Sequence, residues 1–256
     1  MANKQKLNPV SRQAKELYEQ VQFGEFNYAA KREQYDPLLF EFLKKIRGGK
    51  LFDIGCGSGF FLYIYLKQGF TKHDITALDL ATNNVNALRK KGFKAIWGDA
   101  LALPFKDNVA HGTVSHGVIH HTDNPEQAFS ELVRITKPGG YIYLNVYNKW
   151  HPYFYLVHKA TYPLRCIYYH HTKKIFNIVY PLTKIFFQPL AFLALGQFLD
   201  DKTGKAMLMD QVFTPRAHVF SKNDIKKYAA RYNCTIEKFE YNRYYLMIAT
   251  LIRPEK

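Results

Sequence analysis

The ten residues Leu51-Phe-Asp-Ile-Gly-Cys-Gly-Ser-Gly-Phe60 constrain this chain most, because an apolar strand runs there into Gly55-x-Gly57-x-Gly59 and on into a helix, Phe60 to Lys67. Glycines at that spacing let the backbone turn tightly and let a ligand lie against it with no Cβ in the way. The alternation continues: Ile75 to Asp79 reads as a strand, Ala81 to Lys91 as a helix, Phe93 to Trp97 and Ala110 to His116 as strands, Pro125 to Thr136 as a helix and Tyr141 to Val146 as a strand. Strands alternating with helices are joined by right-handed crossovers and lie parallel in one sheet. Upstream, Ser11 to Arg47 is patterned as two helices, one with Leu17, Tyr18 and Val21, the other with Leu38, Leu39, Phe42, Leu43 and Ile46, the second stopped by Gly48-Gly49. Near the end, Ser221 and Asp224 read as a capping box opening a helix to about Tyr232, and the strand-like runs Thr235 to Tyr241 and Tyr244 to Ile252 read as a closing hairpin.

Acids placed after the strands narrow the ligand. A dinucleotide fingerprint wants its third glycine at position 60, which is Phe60. Asp53, two residues before the first glycine, would repel a pyrophosphate but can receive a ligand ammonium, directly or through the loop backbone and water. Asp79 ends the second strand, where a carboxylate accepts from both hydroxyls of a ribose. Asp99 follows the third strand, within reach of an adenine amino group, and Leu80 and Leu101 are placed to sandwich the ring. The ligand so described is a nucleoside carrying an amino acid and no phosphate.

In this order and spacing the residues resemble the class I S-adenosylmethionine (SAM) dependent methyltransferases, in particular those with a type-11 methyltransferase domain. The matching residues are Asp53 to Gly59, Asp79, Gly98 to Phe105, Ser115 to Thr122 and Thr136 to Gly140, so the resemblance covers about residues 48–148. It implies a seven-stranded Rossmann-like sheet in the order 3-2-1-4-5-7-6 with strand seven antiparallel, in accord with the closing hairpin. It also implies SAM as cofactor, with S-adenosylhomocysteine as product. Asp53, Gly55, Cys56, Gly57 and Gly59 would cradle the methionine part, Asp79 the ribose, Asp99 with Ala100 the adenine ring that Leu80 flanks, and the backbone near His116 and Gly117 the methionine side. The expected organisation is an N-terminal helical lid (1–47), a SAM-binding core (48–149), a helical cap inserted after strand five (150–215), and a last helix with hairpin completing the core (216–256).

Methyl transfer from a sulfonium needs positioning first and a base only when the acceptor must lose a proton. His120, His121 and Tyr147, past strands four and five, are the catalytic candidates, with His116 and Asn148 beside them; a His-His pair at this place also serves simply to start a helix. Tyr18, Phe23, Phe26 and Tyr28 are lid candidates, as are Arg216 and His218, although aromatics at such spacing are also ordinary core. The ten histidines do not fall into ligand spacings with acids or cysteines, so no metal site is expected.

Residues 150–199 break the pattern: they are rich in Tyr, Phe and His, hold Pro152, Pro163, Pro181 and Pro189, and lie within an acid-free run from Leu132 to Leu199. Aromatics mixed with cations are what interfacial helices use, and Ile185 to Leu199 is too short and too interrupted by Pro189 to span a bilayer. The net charge of +15 is concentrated late, with 17 Lys and Arg against 7 Asp and Glu from residue 149 onward. This balance suits a small apolar or lipid- or quinone-like acceptor and contact with a membrane surface; nucleic acid is the runner-up partner, a SAM-binding protein without catalysis the third reading, and simple solubility the plainest account of the charge. A polar start from Met1 to Arg12 and three widely spaced cysteines, Cys56, Cys166 and Cys234, are expected of a cytoplasmic protein.

Overall fold

A computed structural model describes residues 6–20, 36–151, 158–182, 184–185, 200–241 and 246–255. Seven strands form one sheet: β1 (Leu51–Ile54), β2 (Ile75–Asp79), β3 (Lys94–Trp97), β4 (Ala110–His116), β5 (Thr136–Val146), β6 (Thr235–Tyr241) and β7 (Met247–Ile252). Their order is β3-β2-β1-β4-β5-β7-β6, parallel throughout β1 to β5 and antiparallel at β7. The Rossmann-like order expected from the resemblance is therefore the one observed.

Helices α1 (Pro9–Gln20), α2 (Pro37–Lys45), α3 (Phe60–Lys67), α4 (Thr82–Lys90), α5 (Pro125–Ile135), α6 (Tyr162–His170), α7 (Asp201–Val212) and α8 (Lys222–Arg231) carry the apolar faces that build the cores. One core joins Phe52, Leu78 and Leu144 to Phe129 and Leu132 of α5 and Ile225 of α8; the other joins Leu51, Val114 and Tyr143 to Leu39 and Phe42 of α2, Tyr65 of α3 and Leu88 of α4. Helices on both faces leave the strand ends as the open edge, where ligands of such sheets bind. A third core lies apart from the sheet and ties Leu17 of α1 to Tyr168 of α6 and Met209, Val212 and Phe213 at the end of α7.

Local chemistry sets several element ends. Asp36 accepts from Leu39 N at 3.2 Å with Pro37 following, and Asn124 accepts from Gln127 N at 3.1 Å with Pro125 following, so two helices start on a cap and a preset φ. The capping box at Ser221 and Asp224 is formed in both directions. One expected boundary differs: strand five is expected from Tyr141, with the preceding helix running to Thr136, yet β5 already begins at Thr136. Ala110 pairs with Thr136 and Gly112 with Tyr141, so the extra residues form a bulge inside the strand, with Gly139 at φ +74°. Val21, Phe23, Phe26 and Tyr28 of the expected lid, and the expected start of the last strand at Tyr244, lie outside the described residues.

Candidate active site

The glycine loop sits between β1 and α3, and its three glycines, together with Gly117 just past β4, do two different jobs. A Cβ on Gly55 (φ +79°) would stand 2.3 Å from Val118, and one on Gly59 (φ +86°) 2.4 Å from Leu88, so these glycines permit close packing. A Cβ on Gly57 (φ +54°) or on Gly117 (φ +77°) would meet nothing within 4 Å, so these two line open space where a ligand can approach the backbone. Gly55→Ala should therefore cost about 3 kcal/mol, from the left-handed backbone plus overpacking, and Gly57→Ala only about 1 kcal/mol. Urea unfolding of the two variants checks the difference, and equal losses would contradict the division.

Acids surround this loop. Asp79 Oδ2 accepts from Gly57 N at 2.7 Å, and its Oδ1 accepts from Ala81 N at 2.8 Å and Asn84 Nδ2 at 3.2 Å. Asp53 is 1% exposed and turns to Tyr65, whose hydroxyl donates to Oδ2 at 3.2 Å. From there it can reach a ligand only through the loop and its field. Burial, offset in part by the Tyr65 hydrogen bond and reinforced by Asp79, pushes the Asp53 carboxyl up to about 7; burial also raises Asp79 and the Cys56 thiol. Asp99 accepts from Leu101 N at 3.0 Å, which folds the Ala100-Leu101 turn, both residues being buried beside it. Trp97 donates its indole N–H to the Leu80 carbonyl at 2.8 Å and shapes the same edge.

A second group of side chains gathers where β4 and β5 end. The short helix Ile119–His121 brings both histidines inward; the His120 ring stacks on Tyr147 at 3.8 Å, and His158 lies 5.5 Å beyond. His121 Nδ1 is 3.0 Å from the Arg216 carbonyl and 3.1 Å from the Thr214 hydroxyl. Since a carbonyl only accepts, Nδ1 carries the proton and Nε2 is the nitrogen able to take one. Nε2 lies 3.7 Å from Asp210 Oδ1, where a carboxylate steadies an imidazolium. Asp210 also accepts from Tyr18 at 3.1 Å, Tyr147 at 3.5 Å and Gln211 at 2.8 Å.

Burial lowers His120 well below the usual histidine range, with His121 adding to it, and lowers His158 to about 3; both rings are neutral near pH 7. Burial and Asp210 raise the Tyr18 hydroxyl. Among the described residues, His120 Nδ1, both ring nitrogens of His158, Asn145 Nδ2 and Oδ1, Gln211 Oε1 and His218 Nε2 are buried without a hydrogen-bond partner. So many orphaned polar atoms at one sheet edge mark a place for a ligand with polar groups of its own.

The N-terminal helix and the segment after the cap close over both groups. Glu19 of α1 reaches Thr82 N at 3.4 Å at the start of α4, while its neighbour Tyr18 reaches Asp210. His218 N bonds the His120 carbonyl at 2.8 Å, and Phe220 N bonds that of Tyr147 at 2.8 Å. Arg216 contributes its carbonyl to His121, and its side chain turns outward to Asp123 at 3.5 Å. His116 lies 3.7 Å from Asp36 and against Phe61 at 4.2 Å, next to the glycine loop. Asn148 holds Trp150 N at 3.0 Å. Asp210 and Asp36 were not singled out from sequence. Asp36-Pro37 does carry a cap signal; Asp210 carries only its place as one of the first acids after the acid-free run.

Residues 52–144 match the model of a family described as a methyltransferase domain. A SAM-dependent methyltransferase from Mesorhizobium loti shares the fold at a TM-score of 0.55 and 15% identity, over 85% of this chain and 96% of that one. Residues 52–144 carry a methyltransferase domain, on a Rossmann-like sheet of the order 3-2-1-4-5-7-6. The sequence is 34% identical to tRNA (carboxymethyluridine(34)-5-O)-methyltransferase ALKBH8 of Mus musculus over 119 residues, 44% of this chain and 17% of that protein. It is 32% identical to demethylmenaquinone methyltransferase of Renibacterium salmoninarum over 120 residues, 46% of this chain and 48% of that enzyme. The matched stretch is less than half the length of either relative.

SAM, the cofactor that the resemblance implies, would supply a methyl group on a cationic sulfur. The residues present fit it: Gly57 and Gly117 leave backbone open, and two buried carboxylates, Asp53 and Asp79, flank the loop with no cationic partner among the described residues. An ammonium and a sulfonium are the charges such a nest lacks.

Proposed function

We propose that the methyltransferase domain transfers the methyl group of SAM to a small, apolar acceptor carrying a hydroxyl or carbonyl group, of lipid or quinone-like character, held between the ends of β4 and β5 and the cap. The observation that carries this reading is the buried set of stacked His120, Tyr147 and His158 rings with unpartnered polar atoms among them, a surround suited to a polar-tipped ring. In this reading residues 1–47 act as lid and 150–215 as cap, and Asp79, Asp99 with Ala100, and the loop from Asp53 to Gly59 hold the cofactor. His121 takes the acceptor's proton at Nε2, with Nδ1–H held by Arg216 and the resulting charge held by Asp210. His120, neutral and packed on Tyr147, orients the acceptor. The resemblance to a demethylmenaquinone methyltransferase supports an acceptor of this class.

RNA is the second reading, favoured by the resemblance to a tRNA methyltransferase and by the net charge of +15. Incubating the purified chain and labelled SAM with a cell extract, then separating lipid, RNA and water-soluble fractions, distinguishes them. Label is expected in the lipid fraction, and His121→Gln should abolish it while SAM affinity stays. Label in RNA alone would overturn the proposal.

A further inference from the structure

The cap helix at 175–182 has two apolar faces where a surface helix needs one. Ile175, Phe176, Val179 and Tyr180 pack inward on the third core, against residues that include Leu17, Tyr168 and Phe213. One helical turn round, Ile178, Leu182 and Ile185 follow at spacings of four and three and are 63%, 58% and 69% exposed. The inward face is already covered by protein, so among the described residues this outward stripe is surplus to the fold. Cations flank it: Lys173 and Lys174 one turn before Ile178, and Lys184 beside Ile185, all exposed. Lys173 pairs with Glu16 at 3.2 Å and Lys184 with Asp201 at 3.2 Å, both at solvent-exposed sites, while Asp201 is also held by Lys205 at 2.8 Å. The sequence running on from Ile185 stays free of charge to Leu199.

We infer that this face docks the protein on an anionic lipid surface, with Ile178, Leu182 and Ile185 entering the acyl boundary and Lys173, Lys174 and Lys184 lying at the level of the head groups. The charge complementarity selects this occupant: an aliphatic stripe rimmed by ammonium groups, within a chain segment lacking acids, meets both halves of a bilayer interface. The helix lies on the membrane and does not cross it, since no helix among the described residues is long and apolar enough to span. The inference deepens the proposed function by giving an apolar acceptor a route to the cap, and docking itself does not require that reading.

Flotation of the full chain with vesicles tests it. Phosphatidylcholine vesicles containing phosphatidylglycerol should carry the protein up the gradient at low salt, and phosphatidylcholine alone should carry much less. Ile178→Ser with Leu182→Ser and Ile185→Ser should weaken partitioning by about tenfold or more. Lys173→Gln with Lys174→Gln should weaken it roughly fivefold per lysine at low salt and little at high salt. All variants should keep the SAM affinity of the parent, because none of these residues touches the candidate site, so this result stays separable from failure of the lipid-acceptor reading. Absence of flotation, or flotation that the triple serine variant leaves unchanged, would overturn the inference. So would a concentration-dependent dimer that the same variant splits, since the stripe would then belong to a second copy.

Discussion

Asp79→Ala should weaken SAM binding by about a hundredfold or more, on the basis of two charge-assisted hydrogen bonds to a ribose at roughly 1.5–3 kcal/mol each. The carboxylate already accepts from Gly57 N, Ala81 N and Asn84, which leaves about one of its four acceptor positions open. One ribose hydroxyl takes the open position on Oδ2 and the second competes with Gly57 N–H, so binding is expected to loosen that bond and let the glycine loop settle on the ligand. Removing the carboxylate takes away the ligand contact and also leaves the N–H groups of Gly57 and Ala81 without their acceptor. Stability should then fall by a few kcal/mol alongside affinity. Calorimetric titration with SAM measures the first effect and thermal unfolding the second; Asp79→Asn, which keeps the shape and one acceptor oxygen, separates them if the alanine variant folds poorly. Unchanged SAM affinity in both variants would remove Asp79 from the cofactor site.

The glycine loop and strand-end acids of this candidate site were legible in the sequence because their signals are local. Gly55, Gly57 and Gly59 follow an apolar run, and Asp79 closes another; each is readable within a few residues of the strand that positions it. The acceptor half is assembled across the chain. Asp210 meets Tyr18 from 192 residues away and Tyr147 from 63, and Asp36 meets Tyr143 from 107. No periodicity or spacing encodes such meetings, which depend on how the cap folds back over the strand ends. Local reading therefore found His120, His121 and Tyr147, whose place after strands four and five is topological, and passed over the carboxylate that organises two of them. It read Arg216 as a lid residue, and gave no sign that its backbone carbonyl meets His121. The bulge at Thr136 to Gly140 escaped for a related reason: Lys137-Pro-Gly-Gly140 is turn chemistry, and only pairing with β4 and with Arg253 keeps it in the sheet.

SAM should bind more tightly as pH rises through neutrality, and Asp53 should be the cause. Its carboxyl, buried and raised to about 7, is largely protonated in mildly acidic solution. For an acid raised above its unfolded value, the stability it contributes is fully present below the unfolded pKa and is lost as pH rises through the folded one. From this group the ligand-free protein is therefore expected to lose a few kcal/mol between about pH 4 and about pH 7. A cationic ligand acts in the opposite sense: opposite charges several ångströms apart at an effective dielectric of about 20 attract by ~2 kcal/mol, so ligand binding favours the ionised carboxylate and expels its proton. Affinity should rise roughly tenfold between about pH 5.5 and about pH 8, and the thermal stabilisation given by SAM should grow over the same window. Titrations in buffers of different ionisation enthalpy should register proton release near pH 6 and none well above neutrality. Asp53→Asn, neutral at every pH, should flatten the profile and leave affinity near the low-pH level of the parent. A parent profile that is already flat would mean that Asp53 stays protonated beneath the bound cofactor, and that Asp79 alone answers its charge.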